Sequence, residues 1–430
     1  MNVAVIGGGV EGQAAARYWL AKGASVTVRD MNEALTGMPD GVVLELGPDY
    51  LKKLGSYDLI VRSPGVRPNA IKTKVPVTSG VREFFAKCPA RIVGVTGTKG
   101  KGTTSSLIAE ILRHAGYKVW LGGNIGTSPL DFLAKVEARD VVVLELSSFQ
   151  LMDLDVSPKV AVCLMISPGH LDWHKNMREY VAAKGNIFWH QQPGDLAVFN
   201  PHNEYSAEVA GLSRGEHVPY GEKPGCVVSS GKVMIDGEVI CRVDEVGLLG
   251  PHNLENVCAA VTAAWAMVGK RVAPVRGAVM EFTGLKYRIE RLGKFDGVTY
   301  VNDGYSSNPA ATQAAIRSFS EPKVLILGGY DRGDDIQSLA SEVKTSDMRR
   351  VIVMGAAGPR IVEALEATGF ENFDQVTGGL KEALLASKRV ARAGDVVLFS
   401  PGFASFDLYK NFTQRAEHFE QLAHEMGVKA

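Results

Sequence analysis

The segment Val95-Thr96-Gly97-Thr98-Lys99-Gly100-Lys101-Gly102-Thr103-Thr104 constrains this 430-residue chain more than any other. An apolar run, Ile92–Thr96, enters it, and an amphipathic stretch, Thr103–Ala115, leaves it. A buried strand that passes through a glycine turn into a helix belongs to a parallel sheet, because the helix must carry the chain back before the next strand begins. The backbone N–H groups of such a turn converge with the positive end of the helix and cradle phosphate; a lysine at its end offsets phosphate charge. The loop lacks the leading glycine of the usual P-loop spacing. Gly102 also stands where a Mg²⁺-binding hydroxyl is usual, so Thr103 or Thr104 is expected to supply it.

The same rhythm runs along most of the chain. Asn2–Ile6, Ser25–Val28, Leu59–Val61, Ile92–Thr96, Val141–Leu146, Val160–Ile166, Val324–Leu327, Val351–Val353 and Val396–Phe399 read as buried parallel strands. Amphipathic stretches between them, such as Asn308–Ser318 and Gly379–Val390, read as helices. Two segments break the pattern. Residues 217–249 read as a small antiparallel insert, and 288–302 as a hairpin across Gly297. The fold class is therefore α/β, and 430 residues exceed one ordinary core. Three domains are expected: a Rossmann-like domain over 1–89, a central P-loop domain with a parallel sheet over 90–285, and a Rossmann-like α/β domain over 286–430.

A second glycine turn opens the chain. Gly7-Gly8-Gly9-Val10-Glu11-Gly12 follows the first apolar run and starts a helix, and Asp30 ends the next run. That geometry sets a pyrophosphate on a helix N-terminus and a ribose hydroxyl on a carboxylate. NAD, another nucleotide diphosphate, or a tight turn with no ligand all fit it.

Charge removes some partners. The 47 basic and 47 acidic residues cancel, so the basic excess of a nucleic-acid binder is missing. Cys88, Cys163, Cys226, Cys241 and Cys258 are scattered without a CxxC pair, which argues against a disulfide framework and a structural zinc site. No apolar run is long enough to span a bilayer, and the first residues do not resemble a signal peptide. A cytoplasmic, monomeric protein without membrane insertion is expected.

Three further residues suit metal and phosphate chemistry. Glu145 ends a buried strand in Glu145-Leu146-Ser147-Ser148-Phe149-Gln150, where an unpaired carboxylate is unusual. His170 follows another strand, and Lys184 lies on the next helix. Singly, each reads as a capped strand end, a solvated imidazole or a surface lysine. Together, beyond the strands of a phosphate-loop sheet, they read as a site. Nearer the end, Arg288 is suited to developing γ-phosphate charge. The segments 302–309, 328–333 and 400–407 end strands in small polar residues and read as another crevice.

Taken together, these segments resemble the Mur ligase family across essentially the whole chain. The resemblance rests on the Thr96–Lys101 loop, Glu145–Leu151, the His170 segment with Lys184, and Gly250-Pro251-His252-Asn253-Leu254-Glu255-Asn256. It rests also on Asn308-Pro309-Ala310-Ala311-Thr312 and on Ser400-Pro401 through Arg415. The resemblance implies an ATP- and Mg²⁺-dependent amide ligase of peptidoglycan precursor synthesis that works through an acyl phosphate. The first domain would bind the UDP part of a muramoyl substrate through Gly7, Gly9, Gly12, Asp30 and the Ser63-Pro64-Gly65-Val66 turn, with Asn124 contacting the same substrate. The second would bind ATP along Gly97, Thr98, Lys99, Gly100, Lys101, Gly102, Thr103 and Thr104. Asn256, Arg288 and Asp303 would serve adenine, γ-phosphate and ribose. Thr103, Glu145, His170 and a carbamylated Lys184 would hold Mg²⁺. Lys101, Lys184, His170, Asn124 and Arg288 would be the catalytic set. The third domain would close over ATP, with Ser307, Arg332, Ser405 and Phe412 around the amino-acid acceptor, glutamate in the branch most resembled.

Some positions depart from that branch. Gly102 looks like the related folylpolyglutamate synthases. Lys99 replaces a usual asparagine, Tyr287 a histidine, Tyr305 a lysine and Arg332 a lysine. A guanidinium grips carboxylate as a fork where an ammonium acts as a point charge. L-glutamate or another acceptor, a folylpolyglutamate-type ligase, and a nucleotide-binding regulator without catalysis are the rival readings.

Overall fold

The computed structural model describes residues 1–430 except 172, 249, 251 and 430, and the backbone alone at residue 252. Asp172 and Pro251, each inside a family-like segment, and Leu249, the end of the expected insert, lie outside the described residues. The chain forms two compact units: Met1–Val246 with Asn253–Phe282, and Gly247–His252 with Thr283–Ala430.

The first sheet of the larger unit contains β1 (Asn2–Ile6), β2 (Ser25–Asp30), β3 (Val43–Leu46), β4 (Leu59–Arg62) and β5 (Val77–Ser79), in the order β3-β2-β1-β4-β5. All its pairings are parallel. β1 is central, and Val3, Ala4, Val5 and Ile6 are wholly buried, which is why this run is apolar without alternation. β3 is an edge strand with Val43 and Leu44 exposed, and its pattern was too weak to be expected.

The second sheet contains β6 (Arg91–Thr96), β7 (Val119–Gly123), β8 (Val141–Glu145), β9 (Val160–Cys163), β10 (Leu196–Phe199) and β11 (Glu216–Pro219). Its order is β11-β10-β9-β6-β8-β7, again parallel throughout. The loop 97–100 leaves β6 near the middle of this sheet, and the helix Lys101–His114 follows. The apolar run 160–166 outlasts its strand. Beyond Cys163 the chain pairs with the glycine turn instead, through Leu164 N–H to the Thr96 carbonyl (2.9 Å) and Thr98 N–H to the Met165 carbonyl (2.9 Å).

The expected antiparallel insert is shorter than 217–249. Among the described residues it is formed by β12 (Val227–Ser229), β13 (Lys232–Ile235) and β14 (Glu238–Arg242). Residues 217–219 belong to β11 and extend the parallel sheet, because Val218 pairs with Val198 at its edge.

The smaller unit carries β15 (Glu290–Phe295), β16 (Val298–Asn302), β17 (Lys323–Gly328), β18 (Met348–Met354), β19 (Phe373–Gln375) and β20 (Val396–Phe399). Their order is β15-β16-β20-β17-β18-β19. β15 and β16 form the antiparallel hairpin expected across Gly297, and the other pairings are parallel. Asp296 and Gly297 both take positive φ at that turn. Helices Pro309–Arg317 and Gly379–Val390 occupy the amphipathic stretches read as helices. No helix among the described residues is long and apolar enough to cross a membrane.

Candidate active site

The first glycine turn opens onto a cavity of about 560 Å³, within the range of small-molecule sites. Its wall includes Gly7, Gly9, Gly12 and Asp30 from the first sheet, the 63–66 turn after β4, and Asn124 and Ser128 after β7. Gly12 is required by packing, since a Cβ there would lie 1.9 Å from the Gly7 carbonyl oxygen. A Cβ on Gly9 would meet nothing within 4 Å, so at that residue the backbone is open to a ligand. Asp30 accepts from Gly8 N–H at 2.6 Å and Asn32 N–H at 2.8 Å, which fixes its carboxylate at the rim.

Glu11 also lines this cavity. Its carboxyl accepts a hydrogen bond from the Gln150 side chain. Burial pushes it up to about 7, against the lowering effects of Gln150 and of the Arg62 charge.

The second glycine turn is built around a neighbour. A Cβ on Gly100, at φ +82°, would fall 2.3 Å from Asn256 Oδ1. Asn256 is buried and accepts from Thr104 Oγ1 at 3.3 Å, so it packs directly beneath the loop. The Thr98 side chain serves structure. Its hydroxyl meets the Ser167 carbonyl and Tyr180 Oη (both 3.0 Å), and Ser167 N–H donates back to it at 2.9 Å.

Two ammonium groups share one acceptor here. Lys101 Nζ lies 3.1 Å and Lys184 Nζ 2.8 Å from the Gly97 carbonyl oxygen. Lys184 is almost fully buried. Burial first, and the Lys101 charge second, push it down to about 7; the Cys163 and Glu145 charges act the other way. Lys101 keeps a cation beside the phosphate-type loop, while Lys184 next to it gives up its proton readily.

Glu145 ends β8, where Val95 of β6 is its register partner, so its carboxylate sits beside the start of the loop. It is buried and accepts from Asn124 Nδ2 at 2.6 Å. Asn124 therefore belongs both to the nucleotide-sized cavity and to the carboxylate.

His170 is exposed and takes a left-handed backbone, φ +54°. Its ring meets Phe149 edge-on at 4.9 Å. Nearby His174 is a core residue, bonded to Ser148 Oγ at 2.9 Å and held below the ordinary histidine value mainly by burial.

Among the described residues no three His, Cys, Asp or Glu side chains are grouped to hold a metal. Glu145, a buried carboxylate beside the start of the phosphate loop, is the kind of oxygen donor Mg²⁺ takes, since that ion commonly accepts one or two protein oxygens and completes its octahedron with phosphate and water.

In the smaller unit, three adjacent strands, β16, β20 and β17, end in loops that are tied together. Gly402 N–H donates to the Ser306 carbonyl (3.0 Å) and Tyr330 N–H to the Ala404 carbonyl (2.8 Å). These bonds gather the loops of Ser307, Arg332 and Ser405. Asp303 is buried. Its Oδ2 accepts from Ser306 Oγ and Ser400 Oγ, both 2.6 Å, and its Oδ1 from Ile289 N–H at 3.1 Å. Burial nevertheless pushes its carboxyl up to about 6.

Arg288 stacks on the Tyr305 ring at 3.8 Å, and Tyr305 meets Phe412 edge-on at 4.5 Å. Buried Arg415 braces the same loops through the Phe403, Ala404 and Gly304 carbonyls. Sequence reasoning missed Glu11, Ser128, Arg62 and Arg415 as site-forming residues. Glu11 and Arg415 lay in segments already singled out, though without a role there, and Ser128 and Arg62 lie outside any motif.

Residues 1–82 match the Mur ligase MurD-like N-terminal domain, 95–264 the Mur ligase middle domain, and 287–403 the Mur ligase glutamate ligase domain. The chain is 36% identical over 446 residues to a UDP-N-acetylmuramoylalanine--D-glutamate ligase of Clostridium kluyveri, covering 99% of this chain and 97% of that one. It is 40% identical over 447 residues to the protein of that name from Pelotomaculum thermopropionicum, covering 98% and 97%. Among solved structures it resembles the UDP-N-acetylmuramate-alanine ligase of Thermotoga maritima, with a TM-score of 0.62 at 17% identity, covering 99% of this chain and 100% of that chain; this likeness concerns the fold.

Proposed function

Because the chain belongs to the Mur ligase family, we propose that it is an ATP-dependent acid–amino-acid ligase that adds glutamate to UDP-N-acetylmuramoyl-L-alanine, with D-glutamate as the acceptor. Its place is peptidoglycan precursor synthesis, as a cytoplasmic monomer. The domains are read as 1–89 for the UDP part, 90–285 for ATP and 286–430 for the amino acid. One observation carries the reading: Asn124 lines the nucleotide-sized cavity and also donates to Glu145 beside the phosphate loop. A substrate whose diphosphate sits at Gly7–Gly12 can extend its far carboxylate past Asn124 to the phosphate chemistry.

In the proposed reaction an oxygen of that carboxylate attacks the γ-phosphorus of ATP and ADP leaves. The acyl phosphate is then attacked by the amine of glutamate, and the tetrahedral intermediate expels phosphate as the amide forms. Bringing a carboxylate to a triphosphate sets anions against each other, so Lys101 and Arg288 are assigned to offset that charge. Bound Mg²⁺ would supply Lewis-acid stabilisation of the transferring phosphoryl group, held by Glu145, Thr103 and His170. Asn256 is assigned to adenine and Asp303 to ribose, where Oδ1 keeps one acceptor direction beyond its bond to Ile289. Ser307, Arg332, Ser405 and Phe412 are assigned to the acceptor. Arg332 is suited to a side-chain carboxylate because its guanidinium binds as a fork.

Lys184 is proposed to be carbamylated. An amine at about 7 is roughly half neutral at neutral pH, and only the neutral amine captures CO₂. The product is a carboxylate-like group with a proton released. It would add an oxygen ligand for Mg²⁺ and remove the repulsion between Lys184 and Lys101.

A folylpolyglutamate-type ligase is the second reading, favoured by Gly102 in the loop. The cavity on the first sheet, which holds a second nucleotide-type turn, favours the first. An isotope experiment tests the acyl phosphate. With ¹⁸O in the alanyl carboxylate, one ¹⁸O should appear in each phosphate released. Unlabelled phosphate accompanying amide formation rules that intermediate out.

A further inference from the structure

Arg62, the last residue of β4, has its side chain wholly shielded from solvent, although no motif marks it. A guanidinium has five N–H donors, and here every one has an acceptor. Nε meets Asp153 Oδ2 at 2.8 Å, and Nη2 meets Asp153 Oδ1 at 2.6 Å and the Phe149 carbonyl at 2.9 Å. Nη1 meets the Val66 carbonyl at 2.7 Å and the Ser63 and Pro64 carbonyls at 3.3 Å.

The two sets of acceptors lie on different parts of the larger unit. Ser63, Pro64 and Val66 form the turn that walls the nucleotide-sized cavity. Phe149 and Asp153 follow the Glu145 strand end. The turn is held from a further direction by Trp173 Nε1, which donates to the Gly65 carbonyl at 3.1 Å, and the Trp173 ring packs on Phe149 at 4.5 Å.

We propose that Arg62, anchored by Asp153, is a positioning residue for the nucleotide-sugar pocket, fixing the 63–66 turn at the spacing from Glu145 that the substrate must span. The proposal rests on the reading of that pocket as the UDP site. The reason is geometric. A turn whose three carbonyls point inward at one planar cation cannot shift without breaking several bonds, and each break would strand a buried polar group. The planar fork matters as much as the charge. An ammonium has three donors and cannot match both oxygens of Asp153 and three carbonyls at once. Pockets held to sub-ångström tolerance by such supports lose substrate affinity when the support is loosened.

The test uses the full-length protein and three variants: Arg62→Lys, Arg62→Met and Asp153→Asn. Binding of UDP and of UDP-N-acetylmuramoyl-L-alanine is measured by calorimetry, and KM for that substrate and for ATP by phosphate release. Circular dichroism and the melting temperature select the variants that fold. In Arg62→Lys, KM for the UDP substrate is expected to rise at least tenfold while KM for ATP stays within twofold, with Asp153→Asn intermediate. Equal increases in both KM values, or an unchanged KM for the UDP substrate in a folded variant, would overturn the proposal. So would a lowered melting temperature as the only effect. If Arg62→Lys and Arg62→Met both fail to fold, Asp153→Asn decides by the same criterion. Failure of the wild-type protein to bind either uridine ligand would refute the reading of the pocket itself. Normal wild-type binding with unaltered variants refutes only the role of Arg62.

Discussion

Replacing Glu11 by Gln should stabilise the protein at pH 8 and leave it unchanged near pH 4.5. In the folded protein the Glu11 carboxyl titrates at about 7, against an ordinary value of 4.5. Burial is the main cause, only partly offset by Gln150 and the Arg62 charge. The fold therefore favours the protonated form. Below 4.5 both folded and unfolded chains hold the proton and no stability is lost. As pH rises from 4.5 towards 7 the unfolded chain ionises first, and folding stability falls by up to roughly 3 kcal/mol, at about 1.4 kcal/mol per pH unit. Above 7 the loss is constant. Gln cannot ionise, keeps the acceptor that Gln150 Nε2 needs, and removes this pH dependence. Urea unfolding of the two proteins at pH 4.5, 6, 7 and 8 measures the difference. The gap should open between 4.5 and 7 and stay flat above. A gap of equal size at every pH, or a less stable variant at pH 8, would refute the reasoning.

Other expectations concern the phosphate site. Lys101→Ala should lower kcat by about two to three orders of magnitude, as expected for loss of a group offsetting transferring charge, without changing the unfolding free energy by more than about 1 kcal/mol. Lys184→Ala should lose most activity and regain part of it with short-chain carboxylates, read as phosphate release with and without acetate or formate. In the wild-type protein kept free of CO₂, recovery on adding bicarbonate should weaken as pH falls through 7, because Lys184 then holds its proton and cannot react.

Much of this site could be read from local spacing. Gly7–Gly12 with Asp30, and the 95–104 loop, each form within one strand–turn–helix unit, and a local pattern is enough to reveal them. Glu145 stood out because a carboxylate ending an apolar strand needs a partner, and Asn124 supplies it. What could not be read depends on contacts between distant segments. Glu11 meets Gln150, and Arg62 meets Asp153, across 139 and 91 positions; an isolated glutamate or arginine has no periodic signature. The same cause explains the error at residues 217–219. The short run His217-Val218-Pro219 suits a flap or an edge strand equally, and pairing with Leu196–Phe199 decides. Tyr305 illustrates a third case. Its difference from the family pattern was visible, but its contacts with Arg288 and Phe412 needed the fold.

The activity assigned to this protein is ligation of an amino acid to a UDP-muramoyl carboxylate at the expense of ATP. Phosphate release with UDP-N-acetylmuramoyl-L-alanine, ATP and Mg²⁺, across a panel of D- and L-amino acids, tests it most directly. Release is expected to depend on D-glutamate, with one phosphate formed per amide. Release driven by L-glutamate instead would contradict the assigned acceptor, and no amino-acid-dependent release across the panel would contradict the ligase itself.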